Sequence, residues 1–164
     1  MSTATARQQT SIEERNAATV HRVLKELWEG GNLAIADEVF PPEFIRHDPA
    51  GDHQGAEGYK EAVREVRKGF PDLTMEIHQI LPVGDKVAFH TTMHATHTGE
   101  FSGLKPTGIK IAIQTFCHVR FDDAGMCVDA YVLSDYMTFA KTLFKKMSWW
   151  QRLSNLPAMI KQLC

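Results

Sequence analysis

The sequence predicts one α+β domain, with N-terminal helices packed on one face of a curved, mainly antiparallel sheet. Three observations predict it. Apolar residues recur at helical spacing as far as Gly69, the period changes to two from Leu73 to Asp135, and neither a linker nor an internal repeat divides the 164 residues.

Each element has a local reason. Residues 1–10, rich in Ser, Thr, Ala and Gln, read as a disordered N-terminus without the apolar stretch of a secretory signal. Ser11 and Glu14 form a capping-box pattern for a helix that carries Val20, Leu24, Leu27 and Trp28 on one stripe. Gly30-Gly31 ends that helix, because glycine accepts the left-handed conformation at a helix C-terminus. Asn32 caps a short second helix that Pro41-Pro42 stops after Phe40. Residues 44–49 are a short extended piece holding His47 and Asp48. A third helix spans residues 55–69, with Tyr59, Ala62, Val63 and Val66 inward and Pro71 beyond its end.

Residues 73–83, 86–98, 109–122 and 126–135 alternate as four strands. Gly84-Asp85 and Asp122-Asp123-Ala124-Gly125 are hairpin turns, and a longer loop runs from Glu100 to Gly108. The domain is thus expected over residues 11–136, followed by a basic amphipathic extension over 137–164.

From Tyr136 to Cys164 the chain holds no Asp or Glu and five cations, Lys141, Lys145, Lys146, Arg152 and Lys161, beside Trp149, Trp150, Leu153 and Leu156. This pattern fits helices packed on the domain or on a second subunit, an interfacial helix in peripheral contact with an anionic membrane, or a lid.

Composition excludes several classes. The net charge of -2 argues against nucleic acid as a partner, and no apolar run reaches the roughly 20 residues of a membrane span. Three cysteines read as free thiols in a reducing, cytoplasmic setting, with Cys117 and Cys127 expected on opposite faces. Eight histidines invite a metal hypothesis, but His90 and His94 on one strand would stand roughly 13 Å apart, His94 and His97 face opposite ways, and no Cys/His spacing matches a zinc site. No metal site is expected. No Ser-His-Asp elbow, phosphate loop or dinucleotide fingerprint is present.

Strand parity yields the candidate site. If the last hairpin turns at residues 122–125, Gln114, Phe116 and His118 share a face with Asp129, Tyr131, Leu133 and Asp135. The other face, with Ile111, Ile113, Thr115, Val119, Val128, Ala130 and Val132, is almost wholly aliphatic. The mixed face has the character of a cavity that orients a small molecule. Asp135 follows an apolar stretch, so a buried carboxylate there would serve as acid or base near neutrality. From position alone, Asp135 or Ser134 equally reads as the cap of the next helix. His118 pairs with Asp135 by parity as a proton relay, or is a structural strand histidine.

These residues together resemble the SnoaL-like polyketide cyclase (ester cyclase) family of the NTF2-like superfamily over about residues 16–135. The matching stretches include Leu27-Trp28, Gly30-Gly31-Asn32, the run from Phe44 to Pro49, the run from Gly55 to Gly58, the run from Phe70 to Leu73, Gly84-Asp85-Lys86-Val87, and Thr96 to Gly103 followed by Pro106-Thr107-Gly108. The resemblance implies a cone-shaped barrel, usually dimeric or tetrameric, enclosing an apolar pocket for a small polyketide-like molecule. It implies intramolecular aldol chemistry with no metal and no cofactor, an Asp on the last strand as acid/base (Asp135), and an assisting His on the preceding strand (His118). His47, Gln114, Phe116, Tyr131, Phe44, Phe89 and His97 are the candidate substrate contacts. The extension past Asp135 departs from the family, whose members stop sooner. A cofactor-free acid/base enzyme is therefore the leading expectation, and a non-catalytic ligand-binding or interaction domain the alternative.

Overall fold

A computed structural model describes residues 3–49 and 51–161. Among the described residues, five α-helices and six strands form the expected α+β arrangement. They follow the order α1 (Thr3–Arg22), a π-helical segment (Val23–Glu29), α2 (Ala34–Val39), β1 (Ile45–Asp48), β2 (Gly51–Gln54), α3 (Gly55–Gly69), β3 (Thr74–Val83), β4 (Lys86–Thr96), β5 (Lys110–Phe121), β6 (Cys127–Ser134), α4 (Tyr136–Lys146) and α5 (Trp149–Lys161). The strands lie in one sheet in the order β2-β1-β6-β5-β4-β3. All neighbours are antiparallel except β1 and β6, which run parallel with Arg46 opposite Ala130 and His47 opposite Tyr131.

Helix α3 and the long strands lie within a residue or two of the ranges that period and turn residues predict. The N-terminus differs. The chain is helical from Thr3, so the described part of residues 1–10 is ordered helix rather than a disordered arm. Ser11 consequently sits inside α1, where its hydroxyl donates to the Gln8 carbonyl at 2.7 Å, and caps nothing. The helices cover one face of the sheet, and a single apolar core fills the space between. Leu27, Val63, Phe44 and Phe70 are fully buried there, and each such side chain contributes roughly 1.5–3 kcal/mol by leaving water. Helix α4 joins the same core through Phe139 and Leu143. The extension is thus packed on the domain along α4.

The loop from His97 to Gly108 folds against the end of α3. Thr98 and Gly99 both donate to the Gly69 carbonyl, at 3.1 and 3.0 Å. A Cβ on Gly99 would stand 1.8 Å from the Lys68 carbonyl oxygen, so only glycine allows this approach. His97 anchors the loop from inside. Its ring is fully buried, its carbonyl accepts from Thr107 and Gly108, and its Nδ1 lies 3.0 Å from the Thr107 hydroxyl.

Burial pushes the His97 imidazole below its ordinary value. The unfolded chain therefore takes up this proton more readily than the folded one. The stability that a neutral His97 provides is complete above about pH 6.5 and is lost as pH falls toward the depressed folded value. We expect the urea midpoint to fall between about pH 7.5 and about pH 5.5, and His97→Gln to flatten that dependence. An unchanged slope in the variant would assign the effect to other groups.

Candidate functional site

Beneath the helices the concave face of the sheet encloses a cavity of about 130 Å³. A single water needs roughly 10–15 Å³ on the same measure, so the space suits a small organic molecule. Its wall is mostly apolar, with Val23, Leu24, Phe40, Phe89, Met93 and Ile113 among the lining groups. The π-helical segment contributes Val23, Leu24 and Trp28 to that wall. Such single wide turns recur at functional sites.

Polar groups enter this wall mainly at one end. Strand β1 alternates, so Arg46 and Asp48 point inward while His47 points out. The Arg46 guanidinium and the Asp48 carboxylate form an ion pair with side chains only 8% and 3% exposed. His53 Nε2 lies 3.6 Å from the same carboxylate. The guanidinium also stands 5.9 Å from the centre of the Tyr59 ring. Ser134 and Thr115, facing each other across β6 and β5, share a 3.0 Å hydroxyl contact on the wall. Tyr136, the first residue of α4, completes this end, and burial raises its hydroxyl above the ordinary value. Burial likewise pushes Tyr59 up to about 12, and Trp28 Nε1 donates to its oxygen at 2.8 Å. Both phenols therefore stay neutral near neutrality. Beside Thr115, its neighbour across β4 and β5, the Thr91 hydroxyl is buried with no protein partner among the described residues. A buried unpaired hydroxyl is costly and is satisfied by a ligand or a water.

The pairing of β5 with β6 matches the parity argument, but the faces are the reverse of the expectation. Phe116 lies opposite Leu133 and His118 opposite Tyr131. That mixed face looks to solvent, with Phe116, Tyr131 and Leu133 all more than half exposed. The aliphatic face of Ile113, Val119, Ala130 and Val132 lines the cavity. The helices cover the more apolar face, because burying it releases more water-exposed area. His118 and Gln114 are accordingly outside the cavity. His47 is outside as well, stacked on Tyr131 with ring centres 4.6 Å apart and bonded to Asp52 at 2.9 Å. Phe44 lies in the core against Phe40 and Tyr59, and His97 lies in the loop described above. Of the expected contacts, Phe89 lines the cavity.

Asp135 corrects the expectation most directly. Its carboxylate accepts from the Thr138 amide at 2.8 Å and caps α4 in solvent. The hydrogen bond from Thr138 holds it below the usual carboxylate value, the opposite of a buried base. Ser134, one residue earlier, takes the inward position. Sequence reasoning passed over Arg46 and Thr91. The available signal was a lone cation in an apolar run, Phe44-Ile45-Arg46, with a carboxylate two residues on and so on the same face.

Cys117 and Cys127 both line the cavity, contrary to the expectation of opposite faces. A one-residue irregularity between Arg120 and Phe121 brings Cys127 opposite Phe121 and turns it inward. Burial pushes both thiols up to about 12, so neither is a nucleophile near neutrality. In a Cys164→Ser background the native chain should react with Ellman's reagent at about pH 8 at no more than a few per cent of the rate in denaturant. Fast native reaction at Cys117 would mean that the cavity opens to solvent.

The model of the SnoaL-like polyketide cyclase family matches residues 18–143. Solved structures share the fold. A SnoaL-like polyketide cyclase candidate from a Jannaschia species superposes with a TM-score of 0.74 at 22% identity, over 80% of this chain and 92% of that one. IdmH, a polyketide cyclase candidate from Streptomyces antibioticus, gives 0.67 at 25% identity, over 78% and 97%. AclR, a hydroxylase candidate from Streptomyces galilaeus, gives 0.71 at 24% identity, over 81% and 98%. A comparison with curated proteins finds no significant match.

Proposed function

Because the chain belongs to the SnoaL-like polyketide cyclase family, we propose that its cavity binds a small, largely apolar, carbonyl-bearing molecule and acts on it by acid/base chemistry without a cofactor. The observation that carries this reading is Arg46 on the wall of a mostly apolar cavity, with the buried Asp48 carboxylate paired to its guanidinium. A guanidinium in that setting donates to a carbonyl oxygen and stabilises the negative charge that grows there when the adjacent carbon loses a proton. Asp48, on the same strand face, takes that proton. The enolate carbon then attacks a second carbonyl of the same molecule, held close by the cavity walls, and the proton taken by Asp48 returns to the new alkoxide, relayed by the neutral Tyr136 hydroxyl. This is a polyketide-cyclase-like aldol closure. The same enolate would serve a related isomerase or dehydratase, since the fold does not fix the reaction.

One observation favours a second reading, a ligand-binding domain without catalysis. No Asp, Glu or His is among the described residues that line the cavity, and Asp48 is connected to the lining through its ion pair with Arg46.

Exchange of the α-protons of an aryl methyl ketone in deuterium oxide, followed by NMR, tests both. The enzyme reading expects catalysed exchange, lost by about 10²–10⁴-fold in Asp48→Asn. It expects Asp135→Asn to change nothing, because Asn caps a helix as well as Asp. Binding of the ketone without exchange would sink the enzyme reading and leave the binding one.

A further inference from the structure

Helix α5 is mounted on the protein by its polar side. Asn155 is buried and its side-chain oxygen accepts from the Lys105 amide at 2.6 Å. Gln151, one turn earlier, donates from Nε2 to the Thr107 carbonyl at 2.9 Å. Residues 149, 153 and 156 share the other side of the helix, and Trp149, Leu153 and Leu156 are exposed there. Trp150 is 70% exposed and packs edge-on against Trp149, with ring centres 4.4 Å apart. Phe144 of α4 extends the patch, half exposed beneath the Arg152 guanidinium at 4.6 Å. An amphipathic helix on a globular domain ordinarily buries its apolar side and wets its polar side. Here the order is reversed, and a contiguous apolar surface faces water.

Charge identifies what covers it. Residues 136–164 carry five Lys or Arg and no Asp or Glu, while residues 1–135 carry 13 Lys or Arg and 20 Asp or Glu. The chain is thus divided into an acidic body of net -7 (13 minus 20) and an extension of net +5. Lys145 and Lys146 immediately precede the turn that presents Trp149 and Trp150. Indole rings prefer the boundary between headgroups and acyl chains, and lysine stems reach past apolar surface to place their charge among anionic headgroups. A stretch of 29 residues with five cations and no Asp or Glu suits a surface of uniform negative charge. No helix among the described residues is long and apolar enough to cross a membrane, so the contact is peripheral.

We propose that α4 and α5 dock the protein on an anionic lipid surface, with Trp149, Trp150, Leu153 and Leu156 entering the headgroup boundary and the flanking cations holding the anionic lipids. This inference is independent of the chemistry proposed for the cavity.

The test uses the full chain with vesicles of phosphatidylcholine alone and of phosphatidylcholine mixed with phosphatidylglycerol. Sedimentation with the vesicles and tryptophan emission are the readouts. The chain should sediment with the anionic vesicles and not with the neutral ones, with a blue-shifted emission, and added salt should release it. Trp149→Ala/Trp150→Ala and Lys145→Glu/Lys146→Glu should each weaken this partitioning by about tenfold or more. Both pairs are exposed, so circular dichroism should show the fold unchanged. Failure to bind anionic vesicles at low salt would overturn the proposal. So would a concentration-dependent dimer that the tryptophan variant abolishes in a chain without vesicle binding, since a second copy would then cover the patch.

Discussion

Arg46→Met should lower the stability of the folded chain by about 3–5 kcal/mol. Arg46 and Asp48 are almost wholly buried and pair with each other. Removing the guanidinium leaves the buried Asp48 carboxylate without this ion pair, with His53 Nε2 3.6 Å away. A buried charge that loses its partner keeps the cost of leaving water and forfeits the compensation. Replacing both members should be far less harmful than the sum of the single losses. Arg46→Met/Asp48→Asn therefore recovers most of the stability in a double-mutant cycle on urea unfolding. Additive losses would mean that the two groups do not act as a pair. The double variant also separates structure from function, because a folded cavity without its charged end should lose affinity for carbonyl-bearing ligands while keeping affinity for purely apolar ones.

Phe44→Ala should cost about 3–5 kcal/mol, through lost burial and the cavity left behind. The Phe44 ring is fully buried against Phe40, 4.4 Å between centres, and Tyr59, 5.8 Å. Its position at the entry to β1 gives the change a second consequence. Phe40 and Phe44 back the Tyr59 ring, and Arg46 lies beside the same ring. Loosening this stack allows the guanidinium to leave its place at the polar end. The urea midpoint should fall with an unchanged m-value, and ligand affinity should fall with it. A stable Phe44→Ala that loses only affinity would place Phe44 on the cavity wall instead of in the core beneath it.

Much of the architecture was legible in the sequence because it depends on short-range periodicity. The 3.6-residue spacing of Val20, Leu24 and Leu27 and the alternation in residues 73–135 need no knowledge of the rest of the chain. Strand β2 was not legible. Gly51–Gln54 is polar and exposed, and an edge strand needs only one paired neighbour and little burial. Asp135 shows the limit of reading a site from position. A carboxylate before a helix is as good a cap as it is a base, and only the direction of its side chain separates the two.

The sequence by itself determined the helices and long strands, their order and, away from the irregularity before Phe121, which strand side chains share a face, because these follow from backbone periods and turn residues. Only the tertiary structure decided which face of the sheet is inside. Alternation defines two faces and leaves open which one the helices cover, and the helices took the aliphatic face of Ile113, Val119 and Val132 because its burial removes the larger apolar area from water. That choice put His118, Tyr131 and Phe116 outside and brought Arg46, Thr91, Ser134 and Tyr136, from four separate elements, to one cavity. The outward apolar side of α5 was decided the same way, by the long-range hydrogen bonds of Gln151 and Asn155 to the loop before β5.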